Sequence, residues 1–223
     1  MIVPFPKAVL FDFDGVVADS AHAHHTAWGA AYETIFDVPM GPFPKDVLAG
    51  KAPFLIAQHL ATQGGDAEQT QRLYDYKLKL LLEGRPPRPL PGILSLMHLL
   101  QRENVPFGIA SNAPGPFVRW SARHLSLPVE IVLGVEDFTK PKPAPDPYRQ
   151  LAGRLGIARE DYAETWVLED SLTGMRAAVA AEMFAIGITT QYTAEELEAV
   201  GAKITYAAPA GVAARLRSLL LLG

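Results

Sequence analysis

The stretch Lys7-Ala8-Val9-Leu10-Phe11-Asp12-Phe13-Asp14-Gly15 constrains the fold more than any other in the chain. A short apolar run stops at two carboxylates one residue apart, and a glycine comes next. Apolar runs of this length bounded by turn residues read as a buried strand of a parallel sheet. Period-two geometry puts Asp12 and Asp14 on one side of the chain and turns Phe13 away into packing. In open α/β sheets the carboxyl end of such a strand is where ligands bind. Two carboxylates this close repel, so the pair calls for a compensating cation or proton.

After this strand the chain turns helical. Residues 20–36 read as a helix with Asp19 or Ser20 as N-cap, ended by Pro39, Gly41, Pro42 and Pro44. Shorter helices are expected at 45–49, 53–62 and 66–82, with no convincing strand between 18 and 84. The run from Gly84 to Gly92 is a stiff, proline-rich linker. Beyond it the pattern changes. Strands at 105–110, 130–133, 165–168, 184–188 and 203–206 alternate with helices at 93–102, 116–125, 147–155, 172–181 and 209–221. This alternation predicts an α/β fold, a doubly wound parallel sheet of Rossmann-like type. The expected division is a core of residues 1–17 and 86–223 and an inserted α-helical cap of residues 18–85, placed to cover the first strand's end.

Composition narrows the function classes. A formal charge of −4 over 223 residues leaves no basic footprint for nucleic acid. The absence of cysteine removes disulfides, thiolate chemistry and Cys-ligated zinc. Early carboxylates interrupt any signal-peptide pattern, and there is no run of 18 apolar residues to span a membrane. A cytoplasmic protein, monomeric or weakly dimeric, is the expectation.

Four strand ends can deliver polar groups to one sheet edge. They are Asp12 and Asp14; Ser111-Asn112; the segment from Asp137 through Lys140 and Lys142 to Asp146; and Glu169-Asp170-Ser171. An acidic cluster of Asp12, Asp14, Glu169 and Asp170 with no Cys, and no His inside these segments, suits a hard cation, Mg²⁺ rather than Zn²⁺. Mg²⁺ with a hydroxyl and a lysine suits a phosphoryl group, whose transfer is mostly positioning and charge stabilisation.

On the motifs Asp12-Phe13-Asp14-Gly15-Val16-Val17-Ala18-Asp19-Ser20, Ala110-Ser111-Asn112, Lys142-Pro143-Ala144-Pro145-Asp146 and Leu168-Glu169-Asp170-Ser171-Leu172-Thr173-Gly174, the chain resembles the haloacid dehalogenase superfamily. The similarity is to the branch holding β-phosphoglucomutase and phosphoglycolate phosphatase, and it spans nearly the whole chain in the family's order. The resemblance implies that Asp12 attacks phosphorus and carries a transient aspartyl-phosphate. Asp14 would protonate the leaving oxygen and then take a proton from water. Mg²⁺ would be held by the Asp12 carboxylate, the Asp14 carbonyl and Asp170, with Glu169 helping directly or through water. Ser111 and the Asn112 amide would hold phosphate oxygens, Lys142 would neutralise charge, and Gly15 would allow a tight turn beside the metal.

The departures from the family pattern are informative. Lys140-Pro141 and Lys142-Pro143 both offer a Lys-Pro; the Ala-Pro-Asp after the second favours Lys142, with Pro141 where a glycine is usual. Glu182 stands where the family ends a helix with glycine, at a cost of about 1 kcal/mol if it is left-handed. Pro53 occupies the place of the mutase cap arginine that holds a second phosphate, and Ala49 replaces a lysine, although Lys51 is nearby. His24 and Trp28 match mutase cap residues. His22 and His25 read as solvated, Trp28 as packing, Lys51 as a candidate substrate contact, and Lys77 and Lys79 as a solvated helix face. The expected activity is a Mg²⁺-dependent phosphatase acting on a small phosphorylated metabolite, a sugar phosphate or a phosphoglycolate-like acid. The alternatives are a β-phosphoglucomutase-type mutase and a non-catalytic binder of phosphorylated ligands. A haloacid dehalogenase would not need Asp14 and the magnesium cluster, and a receiver domain would have no inserted cap.

Overall fold

The computed structural model describes residues 3–43 and 50–221, so the helix expected at 45–49 lies outside the described residues. Six parallel strands form one sheet: β1 (Ala8–Phe11), β4 (Phe107–Ala110), β5 (Val132–Leu133), β6 (Thr165–Glu169), β7 (Phe184–Ile188) and β8 (Ile204–Tyr206). Their spatial order is β5-β4-β1-β6-β7-β8. β1 is therefore central, paired with β4 on one side and β6 on the other. All four of its residues are buried, as an apolar strand covered on both faces must be.

The two faces are packed by different helices, which is the doubly wound arrangement. Val9 and Phe11 point into a cluster with α4 (Ile93–Arg102), α5 (Gly115–His124) and α9 (Pro209–Leu220). Ala8 and Leu10 point the other way, onto α6 (Asp146–Arg154), α7 (Leu172–Ala180) and α8 (Ala194–Ala199). The alternation of β1 side chains thus sorts the crossover helices into two layers.

Between β1 and α4 lies the helical block of α1 (Ala21–Phe36), α2 (Pro53–Gln63) and α3 (Thr70–Glu83). It has an apolar cluster of its own, with Trp28, Tyr32, Ile56, Leu60 and Leu73 buried together. Each large side chain fully buried this way contributes about 1.5–3 kcal/mol. Ala27 of α1 and Leu81 near the C-terminal end of α3 join the sheet's cluster and tie the block down.

Three differences from the sequence expectation have physical causes. The chain's crossing into and out of the helical block is a two-stranded antiparallel ribbon, β2 (Ala18–Asp19) with β3 (Arg88–Pro89), so the proline-rich run is partly paired and a short strand exists where none was expected. Two residues are too short to show a period. The helix expected at 66–82 is divided: a 3₁₀ turn over Ala67–Gln69, capped by the Asp66 carboxylate, precedes α3. The six-residue α8 carries a Thr193/Glu196 capping box, the one local signature of a helix too short for periodicity.

Candidate active site

The loops leaving β1, β4 and β6 meet at the sheet's carboxyl edge, under the helical block, around a cavity of about 640 Å³. Asp12 and Asp14 both line it, while Phe13 is fully buried in the apolar cluster behind. Gly15 comes next at φ +75°, and a Cβ there would lie 1.9 Å from Asp170 Oδ2. Only glycine permits both that backbone angle and that approach.

Asp12 is nearly buried and faces an ammonium group. Lys142 Nζ donates to Asp12 Oδ1 at 2.5 Å and to Glu169 Oε1 at 2.6 Å. Lys142 is buried, whereas Lys140 is exposed and lies outside the cavity wall. Burial alone would lower the Lys142 value, but Asp12 and Glu169 outweigh it and hold the ammonium charged. Glu169 is fully enclosed. Its Oε1 also accepts from the Tyr148 hydroxyl at 2.5 Å, its Oε2 from Ser171 Oγ at 3.0 Å, and a Cβ at Gly174 would overlap the carboxylate. The Tyr148 ring faces Lys142 Nζ at 4.7 Å as well. Tyr148 is a site neighbour that no motif reasoning singled out; its signal was an aromatic residue six positions after Lys142, on the first turn of α6.

Asn112 organises the lysine loop through its side chain. Its Oδ1 accepts from Lys142 N at 3.0 Å, and its Nδ2 donates to the carbonyls of Lys142 and Gly50 at 3.2 and 3.0 Å. Ser111 is buried at the cavity wall, with its Oγ accepting from Ala113 N at 3.1 Å.

Asp14 is turned toward the helical block. Its Oδ1 accepts from the Ser20 hydroxyl and lies 3.1 Å from His24 Nε2. Ser20 is the N-cap residue of α1 but makes no side-chain cap bond, its proton going to Asp14 instead. Lys77 Nζ in turn lies 2.9 Å from His24 Nδ1 and 4.9 Å from the Trp28 ring centre. The reading of Lys77 as part of a solvated face is therefore corrected: it has no exposed surface. Leu73, Lys77 and Leu81 fall four apart on the buried stripe of α3, a spacing visible in the sequence. Trp28 packs as expected and also lines the cavity, as does Lys51, which is exposed. His22 and His25 are exposed, and His25 contributes to the cavity rim beside Phe43.

Electrostatics separate the two aspartates. Burial, then Glu169, push Asp12 up to about 8, against the opposing pull of Lys142. Burial would raise Asp14 too, but His24, Ser20 and Lys77 outweigh it and hold Asp14 below the usual carboxylate range. His24 is pushed down by burial and by Lys77, so imidazolium at His24 and ammonium at Lys77 compete. Hydrogen-bond partners assign the tautomer: an ammonium at 2.9 Å makes Nδ1 the acceptor and leaves the proton on Nε2, donated to Asp14. Burial pushes Lys77 itself down to about 7.

One oxygen each from Asp12, Glu169 and Asp170 lies within 4.8 Å of the others, and all three residues are buried. Asp170 is pushed well above its usual range by burial, Asp12 and Glu169. Ionising all three buried carboxylates against one ammonium would leave negative charge in excess, which is what pushes Asp12 and Asp170 up. An all-oxygen donor set with such an excess fits a hard divalent cation. The Asp14 carboxylate is not among these three groups, in keeping with its contacts to Ser20 and His24. Among the described residues no helix is long and apolar enough to cross a membrane.

A model of the haloacid dehalogenase-like hydrolase family matches residues 6–182. A β-phosphoglucomutase of Bacillus subtilis is 32% identical over 197 residues, 82% of this chain and 83% of its own. A phosphoglycolate phosphatase of Rhodospirillum rubrum is 27% identical over 213 residues, 88% of this chain and 85% of its own. The solved structure of a β-phosphoglucomutase from Clostridium difficile superposes with a TM-score of 0.77 at 20% identity, covering 97% of this chain and 99% of that one.

Proposed function

The chain belongs to the haloacid dehalogenase-like hydrolase family, and from that we propose that it is a Mg²⁺-dependent phosphatase of a small phosphorylated metabolite. The observation that carries the reading is the division of labour between the two aspartates. Asp12 lies against Lys142 with the acidic cluster behind it, and Asp14 is bound to the helical block through His24 and Ser20. In this reading the first attacks and the second moves a proton.

In this reading Asp12 is the nucleophile, with Lys142 offsetting charge between it and the incoming phosphate. Ser111 and the Asn112 amide take phosphate oxygens, and the Asn112 side chain keeps the lysine loop in place. Asp14, held ionised in the free protein by His24, Ser20 and Lys77, has to take up a proton in the substrate complex before it can give one to the leaving oxygen, and it then receives one from the water that frees Asp12. His24 orients Asp14, and Lys77 orients His24. Asp12, the Asp14 carbonyl and Asp170 would hold the cation, with Glu169, whose oxygens are already occupied by Lys142, Tyr148 and Ser171, acting at one remove. When bound, Mg²⁺ screens the nucleophile from the phosphate dianion and favours ionised Asp12. Residues 18–85 form the cap and 1–17 with 86–223 the core; the cap shields the reaction from water. The lack of cysteine agrees with a cytoplasmic setting.

Sugar phosphates and phosphoglycolate are the substrates to try first, with His24 and Lys51 as cap-side contacts. A phosphomutase is the second reading. The 32% identity to a β-phosphoglucomutase favours it, while Pro53 at the place of the mutase arginine opposes it. The test is phosphate release from a panel of sugar phosphates and phosphoglycolate, with and without Mg²⁺, with Asp12→Asn as control. The phosphatase reading expects Mg²⁺-dependent release that the variant lacks. Conversion of β-glucose 1-phosphate to glucose 6-phosphate, with a bisphosphate activator and no net release, would overturn it in favour of the mutase.

A further inference from the structure

The loop after β7 reaches the same sheet edge, although no motif marks it. Thr190 N donates back to the Ile188 carbonyl at 2.9 Å, a tight turn that stops the strand and brings Thr190 to the cavity wall. Thr190 Oγ1 lies 2.6 Å from the Gly15 carbonyl and 3.0 Å from Asp170 Oδ2. Gly15 belongs to the loop leaving β1, and Asp170 to the loop leaving β6. Three neighbouring strands thus deliver one group each to a single contact. A Cβ on Gly15 would sit 3.2 Å from Thr190 Oγ1 and 1.9 Å from Asp170 Oδ2, so nothing larger than glycine separates them. The hydroxyl has one proton for two acceptors and ties the two loops together.

We propose that Thr190 is a positioning residue for the cation. It orients the Asp170 carboxylate and the Asp14-Gly15 backbone, the two sides of the site that Asp12 does not supply, and contacts neither substrate nor ion. Groups that hold metal ligands from behind are worth about 10–100-fold in metal affinity or activity. Thr190 borders the cavity, where water competes for the same oxygens, so the lower end applies.

The inference rests on the Mg²⁺-dependent reading above and is tested without turnover. Calorimetric titration of the full chain with MgCl₂, in the absence of substrate, compares wild type with Thr190→Val and Thr190→Ser, and thermal unfolding confirms that each is folded. Thr190→Val is expected to bind Mg²⁺ about 10-fold more weakly, with Thr190→Ser restored to the wild-type range. Thr190→Ala replaces the valine variant if valine does not fold. Wild-type affinity in Thr190→Val would overturn the proposal. So would equal weakness in the serine variant, since the hydroxyl would then not be the group that matters. Mg²⁺ binding by wild type with no phosphate released from any ester would overturn the phosphatase reading while the Thr190 comparison stood. No Mg²⁺ binding by wild type would overturn both.

Discussion

At Lys77 an ammonium group without exposed surface rests on the Trp28 ring and on His24 Nδ1, and among the described residues no carboxylate touches it. Such a charge is costly, and burial brings its pKa from 10.5 down to about 7. Between those two values the unfolded chain binds the proton and the folded chain does not, so this group makes stability rise as pH climbs from about 7 to 10.5. In Lys77→Met that rise should be missing from a series of thermal melts. Methionine fills a similar volume without charge, so the fold is expected to survive, while kcat falls about 10-fold as His24 loses its orientation. An unchanged kcat would remove Lys77 from the account. The residue was legible in principle: Leu73, Lys77 and Leu81 share one stripe, but its charge argued for solvent. Asp12, Asp14, Ser111, Lys142 and Asp170 were easier to see, because they cluster just past strand ends or in a motif of known order. The His24–Lys77 contact spans 53 positions, and no local pattern encodes it.

Among the elements, α7 shows how a sequence oddity is accommodated. The residue two beyond Ala180 is Glu182 at φ +68°, the left-handed position where the family favours glycine. Its carboxylate is met by Arg149 and Arg159 at 3.3 and 3.0 Å, and Arg149 also donates to the Ala180 carbonyl at the helix end. Both partners are exposed and share one carboxylate, so the two pairs lie near the low end of about 0.2–1 kcal/mol each and recover part of a strain of about 1 kcal/mol. Glu182→Gly should therefore raise stability by about 0.5 kcal/mol in urea denaturation at unchanged slope. A net loss would mean that the arginine pairs outweigh the backbone strain. The long helices and buried strands came from periodicity, and α4 and β7 have the expected bounds. The ribbon of β2 and β3 did not, because it joins segments about 70 residues apart through two residues each.

For the molecule as a whole, the acidic edge of the sheet sets how stability depends on pH and metal. Asp12 is raised from 3.8 to about 8, so between those values the folded chain holds a proton that the unfolded chain has released. Stability from this group therefore falls as pH rises through that window, and Asp170, raised for the same reasons, adds to the fall. A bound divalent cation replaces those protons. The increase in melting temperature produced by saturating Mg²⁺ should grow from about pH 5 to about pH 8 and vanish with EDTA; an increase independent of pH would contradict this assignment. The sequence shows that the helical block follows β1, and residues of the block line the cavity beside Asp12 and Asp14. The contacts between the block and the rest were not legible, among them Tyr74 on α3 donating to Glu136 at 3.2 Å, since they depend on three-dimensional proximity alone.

If Asp12 carries the phosphoryl group and Asp14 is needed to release it, the phosphorylated form can be trapped. The direct measurement is mass spectrometry of Asp14→Asn after mixing with Mg²⁺ and acetyl phosphate, whose carboxylate leaving group needs no proton from Asp14, with acid quench and then peptide mapping. One added phosphoryl group is expected on the peptide holding Asp12, absent from the Asp12→Asn, Asp14→Asn double variant. A phosphoryl group on any other residue, or none in quenched wild type and variant alike while wild type releases phosphate, would contradict it.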